Sequence, residues 1–354
     1  MHIQRLVVPR ADLSNPMVVD ESPPDLAPGQ VLAAITLFGL SANNITYALF
    51  GDALGYWAYF PVDDDHGCIP VWGFADVVDS RSEHVLAGDR IFGYLPMADA
   101  VVLTPAAPTE LGCSDASPSR ADLHPWYNRY YRCTTDPLWT EEGEQLQVSM
   151  WALFMTGWAL ADQLAGSAST VVVSSASSKT AMALAWSLNN HDKPVTVVGV
   201  TSAGNASFVE ASGVYDRVTT YDDLQLVDAS GPVAFVDAAG SPGIKEAVHA
   251  ALGDRLVDSV ILGATHQGGA AATGELVGPE PRFFFIPDVA EAAVDDVGLP
   301  AYHGAFADAW HRFAPWIGDR LQVEKRSGAD EIVDAYGTVL AGGLGPDVAT
   351  VLTW

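Results

Sequence analysis

The sequence predicts a two-domain α/β protein, with a doubly wound parallel sheet in one domain and a β-rich fold in the other. Its 354 residues exceed what a single hydrophobic core usually serves. Short apolar runs separated by turn residues fill the N-terminal third, which is typical of a β-rich unit. After Gln145 the pattern changes to strands that alternate with helices, as in a parallel sheet covered on both faces.

Three apolar runs predict strands in the N-terminal domain: Val31–Phe38, Pro70–Val78 and Arg90–Tyr94. Residues 105–140 are instead rich in Pro, Asp and Tyr. This composition predicts a long surface excursion or a lid beside the active site. Packing onto the domain is equally consistent with the aromatic residues grouped there, which are Trp126, Tyr127, Tyr130 and Tyr131.

The second domain is predicted to begin with a helix, because apolar residues recur at three- and four-residue spacing from Leu146 to Leu164. A βαβ unit follows. It consists of a strand, a small-residue turn, a helix that ends near Leu188 and another strand. Two more strands extend it into a parallel sheet. The strands predicted for this sheet are Thr170–Val173, Val195–Val200, Val233–Val236 and Val257–Leu262.

The C-terminal segment is predicted to return to the first domain. After Pro300, a helix that contains Phe306 and Trp310 precedes a strand at Leu321–Val323 and a helix at Asp330–Leu340. We therefore expect residues 1–145 with 300–354 to form the β-rich domain, and residues 146–299 to form the nucleotide-binding domain.

Composition excludes several classes of function. The formal charge of −27 repels phosphate backbones and anionic membrane surfaces, so we expect neither a nucleic-acid partner nor a membrane partner. No apolar run is long enough for a membrane span, and no signal peptide is recognisable, so we expect a cytoplasmic protein. The three widely spaced cysteines Cys68, Cys113 and Cys133 indicate reduced structural thiols rather than a disulfide framework or a zinc site.

The turn after the first strand of the βαβ unit is the predicted anion site. It lacks the usual G-x-G-x-x-G motif. Small hydroxyl side chains still permit close approach of the backbone, and the following helix directs its positive end at an anion. An ordinary serine helix cap with a solvated lysine is the alternative interpretation. The residues predicted to contact a dinucleotide here are Ser175, Ala176, Ser177, Ser178, Lys179 and Thr180.

The end of the second strand favours NADPH over NADH. An acidic residue there would bind the adenosine ribose of NAD, whereas this chain has Thr201 and Ser202, followed by Asn205. A 2′-phosphate is therefore not repelled, although no arginine follows to clamp it, and both hydroxyls equally suit a helix cap. Small or polar residues at the ends of the later strands extend the predicted cofactor contacts to Asp237, Gly240, Gly263 and Thr265.

Several segments, taken in order, resemble the medium-chain dehydrogenase/reductase superfamily. They are Gly39–Asn44, Ile69–Val78, Gly88–Gly93, Phe154–Leu160 and Ala211–Asp216. The likeness spans nearly the whole chain and is closest to the quinone oxidoreductase and enoyl reductase branch. The serine-rich run also resembles a bacterial family of unknown function. The resemblance implies a GroES-like N-terminal domain, a Rossmann domain, and cofactor contacts at Thr156 and Tyr215.

The sequence departs from the zinc-dependent members of that superfamily. Ser41 stands where they have a zinc-binding cysteine, and Phe74 where their Gly-His-Glu motif has histidine. Three cysteines also cannot form a four-thiolate site. We therefore expect no metal. We expect reduction of an activated double bond or a quinone-like small molecule rather than oxidation of an alcohol. Detection of bound zinc would make alcohol oxidation the better prediction.

Such a reductase needs a hydrogen-bond donor near the developing negative charge and a proton source. By position in the resembling segment, the candidates are Asn43, Tyr47 and Tyr56, and an ordinary packing role is equally consistent with each tyrosine. No partner is recognisable in the sequence for His124, His266 or His303.

Two further expectations concern alternatives and assembly. The missing glycine motif supports an alternative prediction. In it, a protein of this fold has lost hydride transfer and serves as a binding module, a lyase or a hydrolase. The resemblance also implies a homodimer.

Overall fold

The computed structural model describes residues 2–226, 231–238, 240, 242–262 and 276–354. In chain order, its strands and helices are β1 Ile3–Pro9, β2 Met17–Glu21, β3 Val31–Leu40, α1 Ala42–Leu49, β4 His66–Gly67, β5 Pro70–Ser80, β6 Arg90–Pro96, β7 Ala100–Leu103, β8 Pro105–Thr109, β9 Gly112–Asp115, β10 Arg129–Arg132, α2 Glu144–Leu164, β11 Thr170–Val173, α3 Lys179–Asn189, β12 Thr196–Thr201, α4 Ala206–Ser212, β13 Arg217–Thr220, β14 Val233–Asp237, α5 Pro242–Leu252, β15 Leu256–Ile261, β16 Arg282–Phe283, α6 Ile286–Val297, α7 Leu299–Gly318, β17 Gln322–Ser327, α8 Ala329–Leu340 and β18 Val348–Thr353.

The chain divides into two compact units. The first, which we call the β-rich unit, comprises Met1–Trp151 with Glu291–Trp354, and the second, the nucleotide-fold unit, comprises Ala152–Ala290. The main sheet of the β-rich unit has the strand order β17-β18-β3-β5-β6-β10-β9-β8, with β7 also paired to β3. A smaller sheet has the order β2-β1-β4. The three strands predicted from apolar runs in this unit are confirmed as β3, β5 and β6.

The prediction of a surface excursion or lid over residues 105–140 is wrong, whereas its alternative, packing of the aromatic residues onto the domain, is confirmed. The segment forms β8, β9 and β10, and β10 pairs with β6 through Tyr130↔Gly93. Its aromatic side chains are buried in the unit, with 1–4% of each exposed for Trp126, Tyr127, Tyr130 and Tyr131. Burial of several aromatic rings stabilises these short strands in spite of their polar, proline-rich composition.

The nucleotide-fold unit contains the predicted parallel sheet, in the order β13-β12-β11-β14-β15-β16. Its pairs are all parallel, for example Val172↔Val198 and Val172↔Phe235. These valine-rich strands are buried on both faces, as expected where helices cover a parallel sheet. The α/β fold class predicted from the sequence is thereby confirmed.

Two glycines permit close packing of backbone segments. A Cβ on Gly39 would lie 2.1 Å from the carbonyl oxygen of Val148, so α2 packs directly against β3 in the β-rich unit. A Cβ on Gly157 would lie 2.5 Å from the amide nitrogen of Leu184, so α2 and α3 approach closely in the nucleotide-fold unit. Each position excludes any side chain larger than hydrogen.

None of the helices in the described ranges has the length and apolar character that a membrane crossing requires.

Candidate functional site

The serine-rich turn between β11 and α3 is the anion site predicted from the sequence. Ser178 caps α3: its side chain accepts a hydrogen bond from the amide of Ala181 at 3.2 Å. Ser175 has a φ of +50°, a left-handed conformation that costs a non-glycine residue about 1 kcal/mol or more. Surrounding contacts must therefore hold this turn in place.

Hydrogen bonds within the unit fix one wall of the turn. The buried Ser174 donates through its hydroxyl to Oδ1 of Asp237 at 3.0 Å, and the amide of Gly240 donates to the same oxygen at 3.0 Å. The amide of Ala176 donates to the carbonyl of Val200 at 3.0 Å. Asp237 therefore organises the ends of neighbouring strands and is not directed only at a ligand.

Two tyrosines and an asparagine form the other wall. The hydroxyl of Tyr215 donates to the carbonyl of Ala176 at 2.8 Å, and the amide of Ser175 donates to the hydroxyl of Tyr221 at 3.0 Å. Nδ2 of Asn205 donates to the hydroxyl of Ser177 at 3.0 Å. Sequence reasoning missed Tyr221, because it follows β13 and meets the turn only through the fold.

Part of the turn keeps backbone donors for an anion. In the portion of the chain that the structure describes, the amides of Ser177 and Thr180 have no hydrogen-bond acceptor. Both lie at the N-terminus of α3, where the helix dipole favours negative charge. The side chains of Ser177, Lys179 and Thr180 are partly exposed. These residues fit a phosphate group in charge and donor chemistry.

The end of β12 carries no acidic residue. Thr201 is its last residue and is buried, and the exposed Ser202 follows it at the start of a short 3₁₀ helix. Gly199, two residues earlier, accommodates the ring of Tyr215, since a Cβ there would lie 2.9 Å from that ring. The strand end therefore exposes the hydroxyl of Ser202 and carries no negative charge that would repel a 2′-phosphate.

Thr156 is a further predicted contact of the cofactor. The hydroxyl of Thr156 donates to the carbonyl of Ala152 within α2 at 2.9 Å. The predicted contacts Gly263 and Thr265 lie outside the described residues, as does His266.

A cluster of aromatic residues in the β-rich unit brings the predicted catalytic tyrosines together. The rings of Tyr47 and Tyr56 have centroids 4.8 Å apart, and hydrogen bonding links Asn43 to Tyr47. We call the whole set the tyrosine cluster: Tyr47, Tyr56, Tyr59, Trp72, Tyr94 and Tyr127.

Hydroxyl groups are paired within the tyrosine cluster. Nε1 of Trp72 donates to the hydroxyl of Tyr47 at 3.2 Å, and the hydroxyls of Tyr56 and Tyr127 lie 3.1 Å apart. The hydroxyl of Tyr94 is buried and has no hydrogen-bond partner among the described residues. Sequence reasoning did not place Tyr94 or Tyr127 among the catalytic candidates, because both lie far along the chain from Tyr47 and join it only through the fold.

Burial dominates the electrostatics of the tyrosine cluster. It raises the pKa of Tyr47, Tyr56, Tyr59, Tyr94 and Tyr127 above the ordinary value, because the phenolate form loses its hydration. The phenols therefore keep their protons to a higher pH than a tyrosine in water does. They are suited to donate hydrogen bonds and to hold a proton at Oη.

The histidines and cysteines have structural environments. His303 is buried and its Nε2 lies 2.7 Å from Oδ1 of Asp136, a partner that the sequence did not reveal. Nδ1 of His124 accepts from the amide of Trp126. All three cysteines are free and buried. In the described ranges, no group of three or more His, Cys, Asp or Glu side chains is arranged to hold a metal ion.

A comparison with models of known protein families identifies the family of this chain. A family model described as "Protein of unknown function (DUF2855)" matches residues 38–345. The chain belongs to this family. A search of curated proteins found no match.

Solved structures from several organisms share the fold of this DUF2855 protein. CurA in complex with NADPH from Vibrio vulnificus is 17% identical, with 99% of this chain and 98% of that chain covered and a TM-score of 0.63. A mutant enoyl thioester reductase from Candida tropicalis is 9% identical over 100% of both chains, with a TM-score of 0.63. The quinone oxidoreductase from Coxiella burnetii is 14% identical over 100% of both chains, with a TM-score of 0.56. The predicted resemblance to medium-chain dehydrogenases/reductases is therefore confirmed at the level of the fold.

Proposed function

We propose that this protein is an NADPH-dependent oxidoreductase that reduces an activated double bond or a quinone-like small molecule without zinc. The observation that carries the proposal is the serine-rich turn at the N-terminus of α3, where the amides of Ser177 and Thr180 lack acceptors among the described residues. CurA and TarJ from S. aureus, two proteins of the same fold, have been crystallised with NADPH, which supports this choice of cofactor.

The turn would hold the cofactor's phosphates. Its amides and hydroxyls supply donors, the dipole of α3 favours the negative charge, and Lys179 adds a cation at the first residue of that helix. These local contacts are needed because the net charge of −27 opposes the approach of an anion. Thr201 and Ser202 would face the adenosine ribose, and neither repels a 2′-phosphate.

The tyrosine cluster would supply the proton. When bound, NADPH provides a hydride, so the protein must still provide a hydrogen-bond donor and a proton for the reduced product. The paired hydroxyls of Tyr56 and Tyr127 form a short path along which a proton can move, and burial keeps both phenols protonated. Asn43 and Tyr47 would orient this path through their hydrogen bonding.

A spectrophotometric assay with the full chain tests the proposal. We expect the nicotinamide absorbance of NADPH to fall when a quinone or an α,β-unsaturated carbonyl compound is added. Ser202→Glu should raise the KM for NADPH about tenfold relative to Ser202→Gln, because the two variants of this exposed residue differ mainly by one negative charge near the 2′-phosphate. Absence of NADPH oxidation with either class of acceptor would refute the proposed reaction.

One observation favours the alternative of a non-redox protein. The hydroxyl of Tyr221 accepts from the amide of Ser175 and lies 3.2 Å from its side-chain oxygen, so it uses a donor that a pyrophosphate would need. Fluorescence titration of Tyr221→Phe separates the two candidates. Saturable NADPH binding by the wild type and by this variant supports the oxidoreductase, whereas no binding by either supports the non-redox function.

A further inference from the structure

A buried ion pair contacts the tyrosine cluster. Nε of Arg120 is 3.1 Å from Oδ2 of Asp115, and each side chain is only 2% exposed. The other carboxylate oxygen of Asp115 accepts from the amides of Thr104 and Ser117 and from the Ser117 hydroxyl, at 2.7–3.0 Å. The carboxylate is thus held rigidly, and it holds the guanidinium in turn.

Three aromatic rings surround the guanidinium of Arg120. Its central carbon lies 4.6 Å from the ring centroid of Phe60, 5.6 Å from that of Tyr59 and 5.8 Å from that of Tyr130. Such distances are typical of cation–π contacts, which strengthen when the cation is desolvated. The charge therefore acts on Tyr59, a member of the tyrosine cluster, and it lowers the pKa of Tyr59 in opposition to burial.

Arg120 also holds the backbone that carries Tyr127. Its Nη1 makes two long hydrogen bonds, to the carbonyl oxygen of Tyr127 at 3.5 Å and to Oδ1 of Asn128 at 3.4 Å. These two residues end the 3₁₀ turn Pro125–Asn128. The hydroxyl of Tyr127 is the one paired with Tyr56. A continuous set of contacts therefore runs from Asp115 through Arg120 and Tyr127 to Tyr56.

Stability alone is a weak reason for this ion pair. Desolvation of two charges largely offsets their attraction, and well-packed apolar residues of similar size often replace a buried pair at no cost. We propose that Arg120 and Asp115 are positioning residues that fix the hydroxyl pair of Tyr56 and Tyr127. The kinetic consequence of this inference rests on the proposed function, whereas the structural consequence does not.

Fluorine NMR of the full chain labelled with 3-fluorotyrosine tests the positioning directly. The double variant Asp115→Leu/Arg120→Met removes both charges and avoids leaving one buried and unpaired. We expect the Tyr56 and Tyr127 resonances, assigned by Tyr→Phe variants, to move by more than a line width while that of Tyr215 stays. The control is Asp258→Leu/Arg282→Met, which removes a more exposed ion pair in the nucleotide-fold unit and should leave Tyr56 and Tyr127 unmoved.

Steady-state kinetics provide the second measurement. The Asp115→Leu/Arg120→Met variant should lower kcat about tenfold without a change in KM for NADPH, and should have less than about a twofold effect when Tyr127→Phe is already present. Unmoved Tyr56 and Tyr127 resonances in the double variant would overturn the inference. An equal loss of kcat in both backgrounds would overturn it as well. If the wild type oxidises no NADPH, the proposed function fails and the NMR result alone decides the positioning.

Discussion

The serine-rich turn and the tyrosine cluster obtain their properties in opposite ways. The turn works through backbone amides, a helix end and small side chains, and nine consecutive residues from Val172 to Thr180 contain most of it. The tyrosine cluster works through side chains that come from α1, β5, β6 and two 3₁₀ turns. A site made from one local segment is visible in the sequence, whereas a site assembled by packing becomes visible only in the fold.

Alkaline pH should produce the largest difference in stability between the two units. Burial raises the pKa of Cys68 from 9.0 to about 11 and those of Cys113 and Cys133 to about 12, and all three lie in the β-rich unit with the tyrosine cluster. Above pH 9 the unfolded chain loses protons that the folded unit retains, so the free energy of unfolding falls as pH rises. Cys68 alone accounts for a loss of about 2–3 kcal/mol between pH 9 and 11.

Hydrogen exchange followed by mass spectrometry between pH 8 and 11 measures this difference, with rates corrected for intrinsic exchange. Protection should fall in the peptides of β5, β6 and β10 before it falls in those of β11 and β12. Equal loss in both sets of peptides would show that the two units respond alike.

Removal of one hydroxyl should slow the chemical step without changing the affinity for the cofactor. Tyr127→Phe deletes the partner of the Tyr56 hydroxyl at 3.1 Å, and we expect kcat to fall about a hundredfold because a positioned proton donor contributes at least that much. The Kd for NADPH should not change. Steady-state kinetics and fluorescence titration measure the two quantities, and weaker NADPH binding in this variant would contradict the separation.

Two glycines next to tyrosine rings offer a matched comparison of packing. A Cβ on Gly93 would lie 2.5 Å from the ring of Tyr130 and 3.1 Å from the carbonyl of Arg129, whereas one on Gly199 would lie 2.9 Å from the ring of Tyr215. We expect Gly93→Ala to cost about 2–3 kcal/mol and Gly199→Ala about 1 kcal/mol. Chemical denaturation measures both.

The control for this comparison lies in α8. A Cβ on Gly337 meets no atom within 4 Å, so Gly337→Ala should stabilise the protein by about 0.5–1 kcal/mol. A larger cost at Gly199 than at Gly93 would indicate that the nucleotide-fold unit is the more rigidly packed one.

Charge at the serine-rich turn should have a smaller effect than loss of the Tyr127 hydroxyl. Lys179→Ala is expected to weaken NADPH binding about tenfold, since it removes one partly exposed cation from the first turn of α3. The control Lys193→Ala removes an exposed lysine before β12, at the opposite end of the strands. Calorimetry should detect no change for the control, and equal effects of the two variants would argue for general electrostatic attraction rather than a site at the turn.

Much of the fold was predictable because its signals are local. The apolar runs of β3, β5, β6 and β11 and the helical spacing of α2 specify their structures within a few residues. The strands β8 to β10 were not recognised, because their proline-rich composition is overridden by the burial of rings such as Tyr130. The short terminal strand β18 was also missed, since its pairing with β3 joins residues more than 300 positions apart.

The candidate site was predictable in part for the same reason. The serine-rich turn and the Asn43–Tyr47 segment are contiguous, so position along the chain was sufficient to select them. Tyr127 and Tyr56 are 71 positions apart, and Tyr221 is 46 positions from Ser175. Arg120 is an isolated basic residue in the sequence, and its importance follows only from its burial among aromatic rings.

Isothermal titration calorimetry of the wild-type protein with NADPH and with NADH tests most directly whether the serine-rich turn and the uncharged end of β12 hold a phosphorylated dinucleotide. We predict saturable binding of NADPH that is about tenfold or more tighter than binding of NADH. Equal affinity for the two nucleotides, tighter binding of NADH, or no heat with either would contradict that claim.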